Sequence, residues 1–125
     1  MESAAKRSGA VLDPRTLAGI RAMRKPGAPD LLAKVAGIYA SNSKTLVGEL
    51  KSAVSSKDQA GLLRAAHTLK SSSANVGATG LAEICKDIEA LPRDGNLDLA
   101  GVLVERLIAE HSEVLLALQE QGLAA

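Results

Sequence analysis

The sequence predicts an all-α fold, an antiparallel four-helix bundle with a short additional N-terminal helix. Apolar residues recur along most of the chain at the spacing of one helix face. Alternating runs of Val, Ile, Thr and Tyr that would indicate strands are missing. The chain contains one Tyr and no Phe or Trp. Its core must therefore consist of Leu, Val, Ile and Ala, whose side chains suit the close packing of bundle helices.

The pair Asp13-Pro14 predicts the start of a short first helix. An Asp side chain can accept bonds from the N–H groups of the first turn, and Pro suits the first helical position. We expect this helix to end near Met23, because the segment 25–29 contains two prolines and a glycine.

Pro29 is expected to open a second helix that continues to about Ser55. At 1.5 Å per residue it would be roughly 40 Å long, as in a bundle. Gly37 either weakens it or permits another helix to approach closely, and the sequence favours neither. The residues expected to point inward are Leu31, Leu32, Val35, Ile38, Tyr39, Leu46, Leu50 and Val54.

A capping-box pattern, Ser56 followed by Gln59, predicts the start of the third helix and an antiparallel turn before it. This helix is expected to end near Gly77, a natural stop signal. Ser72 and Ser73 lean inward, where each hydroxyl can bond a carbonyl one turn back.

A fourth helix is expected after Gly80, and the segment 92–96 predicts a turn in which Asn96 can cap the next helix. The last helix is expected from Leu97 to about Gln119. Inward positions of the fourth helix are Leu81, Ile84, Cys85, Ile88 and Leu91, and those of the last are Leu103 or Val104, Leu107, Ile108, His111, Leu115 and Leu118. We interpret Cys85 as a small core residue and His111 as a residue of the core edge.

Length and charge limit the class of protein. The 125 residues suit one domain, which we place at 11–121 between a flexible leader (1–10) and a flexible tail (122–125). The net charge of +1 argues against nucleic-acid binding. No apolar run approaches the roughly 20 residues of a membrane span, and the single cysteine suits a reducing compartment. We expect a cytoplasmic segment without membrane contact, either of a soluble protein or of a membrane sensor.

His67 is the candidate functional residue. At about 100° per residue, one face of its helix collects Leu62, Ala65, Ala66, Leu69, Ser73 and Val76, and His67 points away from that face. Its neighbours in solvent are Leu63, Arg64, Lys70, Ser71 and Ala74. An exposed histidine is often an ordinary surface residue. In this setting, however, two cations could offset an anion on the ring, and short side chains would let a partner approach.

Neutral imidazole is a competent nucleophile near neutral pH. Phosphoryl transfer also needs charge neutralisation, usually by Mg²⁺. The chain has no glycine-rich phosphate loop, no acidic cluster next to His67 in sequence, and no set of residues with metal-ligand spacing. Such a bundle could carry a phosphoryl group but would depend on a partner to activate it.

The run from His67 to Ala78 resembles the signature of histidine-containing phosphotransfer (HPt) domains, roughly H-x-L-K-G-x-x-x-x-x-G-[AS]. The resemblance extends over the helix pattern from about Leu12 to Leu118. One position departs from it, because Ser71 stands where the family usually has glycine. Ser71 is open to three interpretations: a neutral substitution, a hydrogen-bond donor to a phosphoryl group, or a slight obstacle to a partner.

The resemblance implies that His67 accepts a phosphoryl group, with Nε2 as the expected atom. Lys70 would lie beside the phosphoryl oxygens, and Arg64, outside the family motif, could add to the positive field. A docking surface for the partner is expected around them. Its candidates are Ala60, Leu63, Ala74 and Gly77 on this stretch, with a contribution from the second helix near Ala36, Tyr39 or Ser43.

The implied partners are response-regulator receiver domains, which would supply Mg²⁺ and the acidic pocket, so we expect no cofactor or metal on this chain. We expect a monomer without kinase activity of its own, either free-standing or, as we favour, a module of a hybrid sensor kinase. The alternative function is a helical adaptor that binds a receiver-like partner without carrying phosphate. No set of residues in the sequence supports a third possibility, an enzyme that acts on a small molecule.

Overall fold

The computed structural model describes residues 11–92 and 97–121. Within these ranges the chain forms helices and no strand, which confirms the all-α prediction. The predicted leader (1–10), the turn residues 93–96 with the proposed Asn96 cap, and the tail (122–125) lie outside the described residues. The described helices are α1 (Pro14–Ala22), α2 (Leu31–Ser56), α3 (Gln59–Asn75), α4 (Thr79–Glu89) and α5 (Leu97–Glu120).

Helices α2 to α5 pack in a ring, in which α2 contacts α3, α3 contacts α4, α4 contacts α5 and α5 contacts α2, while α1 packs on α2. The two residues between α2 and α3 reverse the chain, so these helices run antiparallel. The core is aliphatic, as predicted. Its largest fully buried hydrophobic side chains include Leu32, Leu50, Leu62, Leu69, Leu81, Ile88, Leu107 and Leu118.

Aspartates cap the first three described helices. The Asp13 carboxylate accepts a bond from the Arg15 N–H at 2.9 Å, as the Asp13-Pro14 pattern predicts. Asp30 accepts bonds from the N–H groups of Leu32 and Ala33 at 3.0 and 3.3 Å. Because Asp30 is the cap, α2 begins at Leu31 and not at Pro29.

The predicted capping box at the start of α3 is wrong. Asp58 is the cap, and its carboxylate accepts a bond from the Gly61 N–H at 3.0 Å. Ser56 instead belongs to the last turn of α2, where its hydroxyl donates to the Ser52 carbonyl at 2.9 Å. Lys57 has a left-handed conformation with φ of 58° and ends α2.

The buried face of α2 differs from the prediction at Ile38, whose side chain is 53% exposed. Gly37 neither receives nor blocks a neighbouring helix, since a Cβ there would meet no atom within 4 Å. The buried residues of α2 are mostly smaller than the predicted set; they are Leu32, Ala36, Tyr39, Ala40, Ser43, Val47, Leu50 and Ala53.

Two buried polar pairs connect α2 to its neighbours. The Tyr39 hydroxyl and the Ser73 hydroxyl are 2.9 Å apart, which joins α2 to α3. His111 Nε2 lies 2.8 Å from the Ser43 oxygen and joins α5 to α2. Since the Ser43 hydroxyl donates to the Ala40 carbonyl, its oxygen accepts from the imidazole N–H. His111 is therefore a satisfied core residue, which confirms its predicted structural role, as burial confirms that of Cys85.

The end of α3 is attached to the start of α1 through Gly77. The helix stops at Asn75, and Gly77 has a φ of +80°, a conformation that favours glycine. Its carbonyl accepts a bond from the Asp13 N–H at 2.8 Å. This link joins the start of α1 to the end of α3.

Candidate functional site

His67 lies in the middle of α3 on its outer face. Its side chain is 67% exposed, whereas the six residues predicted to form the packing face are all buried. The exposure of the ring and the direction of the packing face therefore agree with the prediction. Ala65 and Ala66, which precede His67 and face the other way, are buried.

The structure adds a group that sequence reasoning missed, the carboxylate of Glu89. Glu89 is the last residue of α4, and its Oε2 lies 2.9 Å from Nδ1 of His67. The two residues are 22 positions apart, so no local motif pairs them. The helical pattern of α4 gives one indication of its position. Cys85 and Ile88 face the core, and Glu89 follows Ile88 directly, so its side chain lies at the border of the buried face.

Lys70 contacts the same carboxylate. Its Nζ lies 2.5 Å from Glu89 Oε1, so each carboxylate oxygen of Glu89 has its own partner. The Lys70 ammonium is the largest influence that lowers the pKa of Glu89; burial opposes it, and the hydrogen bond from His67 adds to it. Glu89 is consequently ionised at neutral pH and can only accept hydrogen bonds.

An ionised acceptor at Nδ1 selects the form of the imidazole ring. In neutral imidazole one nitrogen carries the proton and the other carries the free electron pair. Because Glu89 cannot donate, the Nδ1 proton faces it and the electron pair lies on Nε2. The arrangement resembles the general case in which a carboxylate orients a histidine and fixes its tautomer. It prepares Nε2, on an exposed ring, for attack on an electrophile.

The other predicted site residues are distributed around His67 as follows. Ala60, Arg64, Ser71 and Ala74 are exposed, and Leu63 is half-buried. Arg64 also lines a polar pocket together with Glu49 of α2 and Asp58. Arg64 therefore shares its surroundings with two carboxylates.

Two docking expectations need correction. Gly77 is buried, and a Cβ there would lie 3.1 Å from backbone atoms of Asp13, so it cannot belong to an exposed docking surface. Ala36, Tyr39 and Ser43 are also buried. The hydrophobic pattern marks Tyr39 as inward, which the structure confirms, but it does not mark Ala36 and Ser43, which are small or polar.

Two other kinds of site are not found in the part of the chain that the structure describes. Among residues 11–92 and 97–121, no three His, Cys, Asp or Glu side chains are placed to hold a metal ion together. None of the helices within those ranges combines the length and apolar character that crossing a membrane requires.

Comparison with known families identifies the fold and its chemistry. The family model described as the Hpt domain matches residues 34–120, which include α3 and the whole His67–Lys70–Glu89 cluster. The chain belongs to the Hpt family. A search of curated proteins finds no significant match.

The Hpt domain is also similar to a solved structure. Its fold matches the crystal structure of histidine-containing phosphotransfer protein B (HptB) from Pseudomonas aeruginosa PAO1 with a TM-score of 0.81. The sequences are 28% identical, and the match covers 89% of this chain and 93% of the HptB chain. Family and structure together support histidine phosphotransfer in two-component signalling, in which Hpt domains exchange phosphoryl groups with receiver domains.

Proposed function

We propose that this Hpt domain is a phosphorelay intermediate that accepts a phosphoryl group on Nε2 of His67 from a receiver aspartate and passes it to another receiver. The observation that carries the proposal is the 2.9 Å contact between His67 Nδ1 and Glu89. It leaves Nε2 with the free electron pair that an attack on phosphorus requires.

The transfer step needs few groups from this chain. The Nε2 electron pair forms the N–P bond while the bond from phosphorus to the aspartyl oxygen breaks, and the receiver carboxylate takes that electron pair. Charge on the phosphoryl oxygens must be offset in the transition state. Lys70 lies one turn from His67 and supplies one positive charge; the receiver domain would supply Mg²⁺ and its acidic pocket.

The surroundings of His67 suit a transient protein partner. Ala60 and Ala74 have short side chains and are exposed, and Leu63 offers a half-buried apolar surface beside the ring. Ser71 is exposed four positions after His67, about one helical turn away, where its hydroxyl could donate to a phosphoryl oxygen. The monomeric state, the cytoplasmic location and the link to a hybrid sensor kinase remain predictions of this proposal.

Label transfer between receivers tests the proposal. Receiver domains carrying radioactive phosphate on their aspartate are mixed with the Hpt domain, and a second, unlabelled receiver is then added. We expect label to appear on the Hpt domain and then on the second receiver. The His67→Gln variant should remain helical by circular dichroism, should still bind receivers and should take no label.

The adaptor alternative makes the opposite prediction. An adaptor would retain its effect on receivers after His67→Gln substitution, because binding would not require a phosphorylated ring. Transfer of label through the His67→Gln variant, or an unchanged signalling output with it, would reject the relay proposal.

A further inference from the structure

Glu89 occupies an unfavourable position for a negative charge. The C-terminal end of a helix carries a partial negative charge, and acidic side chains there are destabilising. Glu89 is nevertheless the last residue of α4, with only about a quarter of its side chain exposed. His67 and Lys70 are the partners that offset this placement. A carboxylate held there by two groups of the transfer site suggests a role in the transfer itself.

The proton on Nδ1 matters in both directions of transfer. When Nε2 attacks phosphorus with Nδ1 protonated, the product ring is a phosphorylated imidazolium. In the return step the acceptor carboxylate oxygen forms a bond to phosphorus, the N–P bond breaks, and its electron pair returns to Nε2. The leaving group is then neutral imidazole. A ring that had lost the Nδ1 proton would have to leave as an imidazolide anion, which is a far poorer leaving group.

We propose that Glu89 retains the proton on Nδ1 of phosphorylated His67 and thereby sets the pH range over which the domain can give its phosphoryl group away. This inference rests on the proposed function, since it concerns the phosphorylated form of His67. It assigns Glu89 as a positioning residue that acts through the ring and does not touch the phosphoryl group.

Charge redistribution on phosphorylation strengthens the effect. In the unphosphorylated site the Lys70 ammonium is 2.5 Å from Glu89 Oε1 and offsets its charge. A phosphoryl group brings a charge of about −1.5 to −2 near neutral pH, and the flexible Lys70 stem lets the ammonium turn toward it. Glu89 would then have the Nδ1 proton as its main partner. Because Lys70 would no longer offset the carboxylate charge, Glu89 would attract that proton more strongly in the phosphorylated form.

Within residues 11–92 and 97–121, the other charged groups near the ring do not replace Glu89. Arg64 lies one turn before His67 on α3 and shares its pocket with Glu49 of α2. On α4, Lys86 lies one turn before Glu89 and is exposed. Burial raises the pKa of the Cys85 thiol to about 12, so this neighbour on the inner side stays neutral.

The test compares the full chain with its Glu89→Gln variant. Glutamine can still accept a hydrogen bond from Nδ1 but lacks the charge. Each protein is phosphorylated on His67 with a small phosphoramidate, and release of the phosphoryl group to a receiver domain with Mg²⁺ is timed across the pH range. We expect the midpoint of the pH profile to move down by about one unit in Glu89→Gln, which makes release about tenfold slower on the alkaline side.

The control variant Glu83→Gln removes an exposed carboxylate from the same helix and should leave the profile in place. Coinciding profiles for the original chain and Glu89→Gln would overturn the inference. A uniform loss of rate without a shift in midpoint would also overturn it, because that pattern means a structural role only.

A second measurement does not depend on how the variant behaves. The pH at which the phosphorylated ring loses its Nδ1 proton is measured by NMR in the unsubstituted protein and in an unfolded peptide of the same sequence. We expect the higher midpoint in the protein. An equal or lower midpoint in the protein would contradict the inference. The experiment also distinguishes failure of this inference from failure of the proposed function. If the proposed function is wrong, phosphorylated receivers will not transfer label to His67, although the phosphoramidate still phosphorylates it.

Discussion

Nδ1 of His67 and Oε2 of Glu89 lie 2.9 Å apart, joining the middle of α3 to the last residue of α4. The contact connects the fold to the chemistry, since the packing of these two helices brings an ionised acceptor to one nitrogen of an exposed ring. The other nitrogen is left as the nucleophile. A second contact, from Lys70 to the same carboxylate, places a cation one turn from the reacting atom.

Lys70→Ala should slow phosphoryl transfer more than Arg64→Ala. Lys70 is held beside His67 by Glu89, whereas Arg64 shares a pocket with Glu49 and Asp58. Losing a hydrogen bond to a charged group typically amounts to roughly 1.5–3 kcal/mol, which corresponds to a rate loss of about tenfold or more. Rapid-quench measurement of label arriving from a phosphorylated receiver gives both rates. Equal losses would show that the positive field at His67 is assigned to the wrong residue.

The bond that carries the phosphoryl group should be labile in acid and stable in alkali. A phosphoramidate loses its phosphoryl group when the ring nitrogen is protonated, whereas an acyl phosphate on Asp or Glu hydrolyses in base. Labelled protein is treated with acid or alkali and the retained label is counted. Labelled receiver domain, which carries an acyl phosphate, is the control for the alkaline arm. Retention of the label on the Hpt domain through acid treatment would exclude histidine as the carrier.

Stability should decrease as the pH falls below 6.5 because of His111. Burial lowers the pKa of His111 from its ordinary value of 6.5, so the unfolded chain binds a proton in this range that the folded chain does not. The free energy of unfolding is then highest above pH 6.5 and falls as the pH drops below it. Urea titrations between about pH 7.5 and about pH 5 measure the change.

Two variants test the assignment of this pH dependence to His111. In the His67→Gln background the decrease in unfolding free energy should persist. In His111→Leu it should be reduced, although the neutral-pH stability also changes because the Ser43 oxygen loses its donor. The lowered pKa of Glu89 places its own loss of stabilisation at more acidic pH, below 4.5. A pH dependence that disappears with His67→Gln would contradict the assignment to His111.

Gly77→Ala should destabilise the fold, whereas Gly37→Ala should not. Gly77 has a φ of +80°, and a Cβ there would press on Asp13 and Thr16 at 3.1 Å. The left-handed conformation alone disfavours alanine by about 1–2 kcal/mol. Gly37 is in the interior of α2 with open space around it, so alanine there should stabilise by up to about 1 kcal/mol. Denaturant midpoints give both values, and a neutral Gly77→Ala would refute the interpretation of the Asp13 link.

Helical periodicity was sufficient to predict the all-α fold and the outward position of His67. Both follow from spacing within one element, and the run from Leu62 to Val76 satisfies that spacing without conflict. Helix starts were less predictable, because Ser56 and Asp58 are both good caps only two positions apart. Only the packed turn shows that Asp58 binds the Gly61 N–H.

Contacts between helices could not be predicted from the hydrophobic pattern. The pairing of Glu89 with His67 depends on how α4 lies along α3, which many side chains fix together. The same limit explains the error at α2, where Ile38 is exposed while Ala36 and Ser43 are buried. Small and polar residues were not recognised as inward because their burial is decided by the neighbouring helix and not by their own hydrophobicity.

The most direct test of the account is to locate the phosphoryl group on the phosphorylated Hpt domain by proton–phosphorus correlation NMR. The account predicts one phosphorylated residue, His67, with phosphorus coupled through Nε2 to both ring carbon-bound protons, while Nδ1 remains available to Glu89. Phosphorus on Nδ1 of His67, or on any other residue after transfer from a receiver, would contradict it.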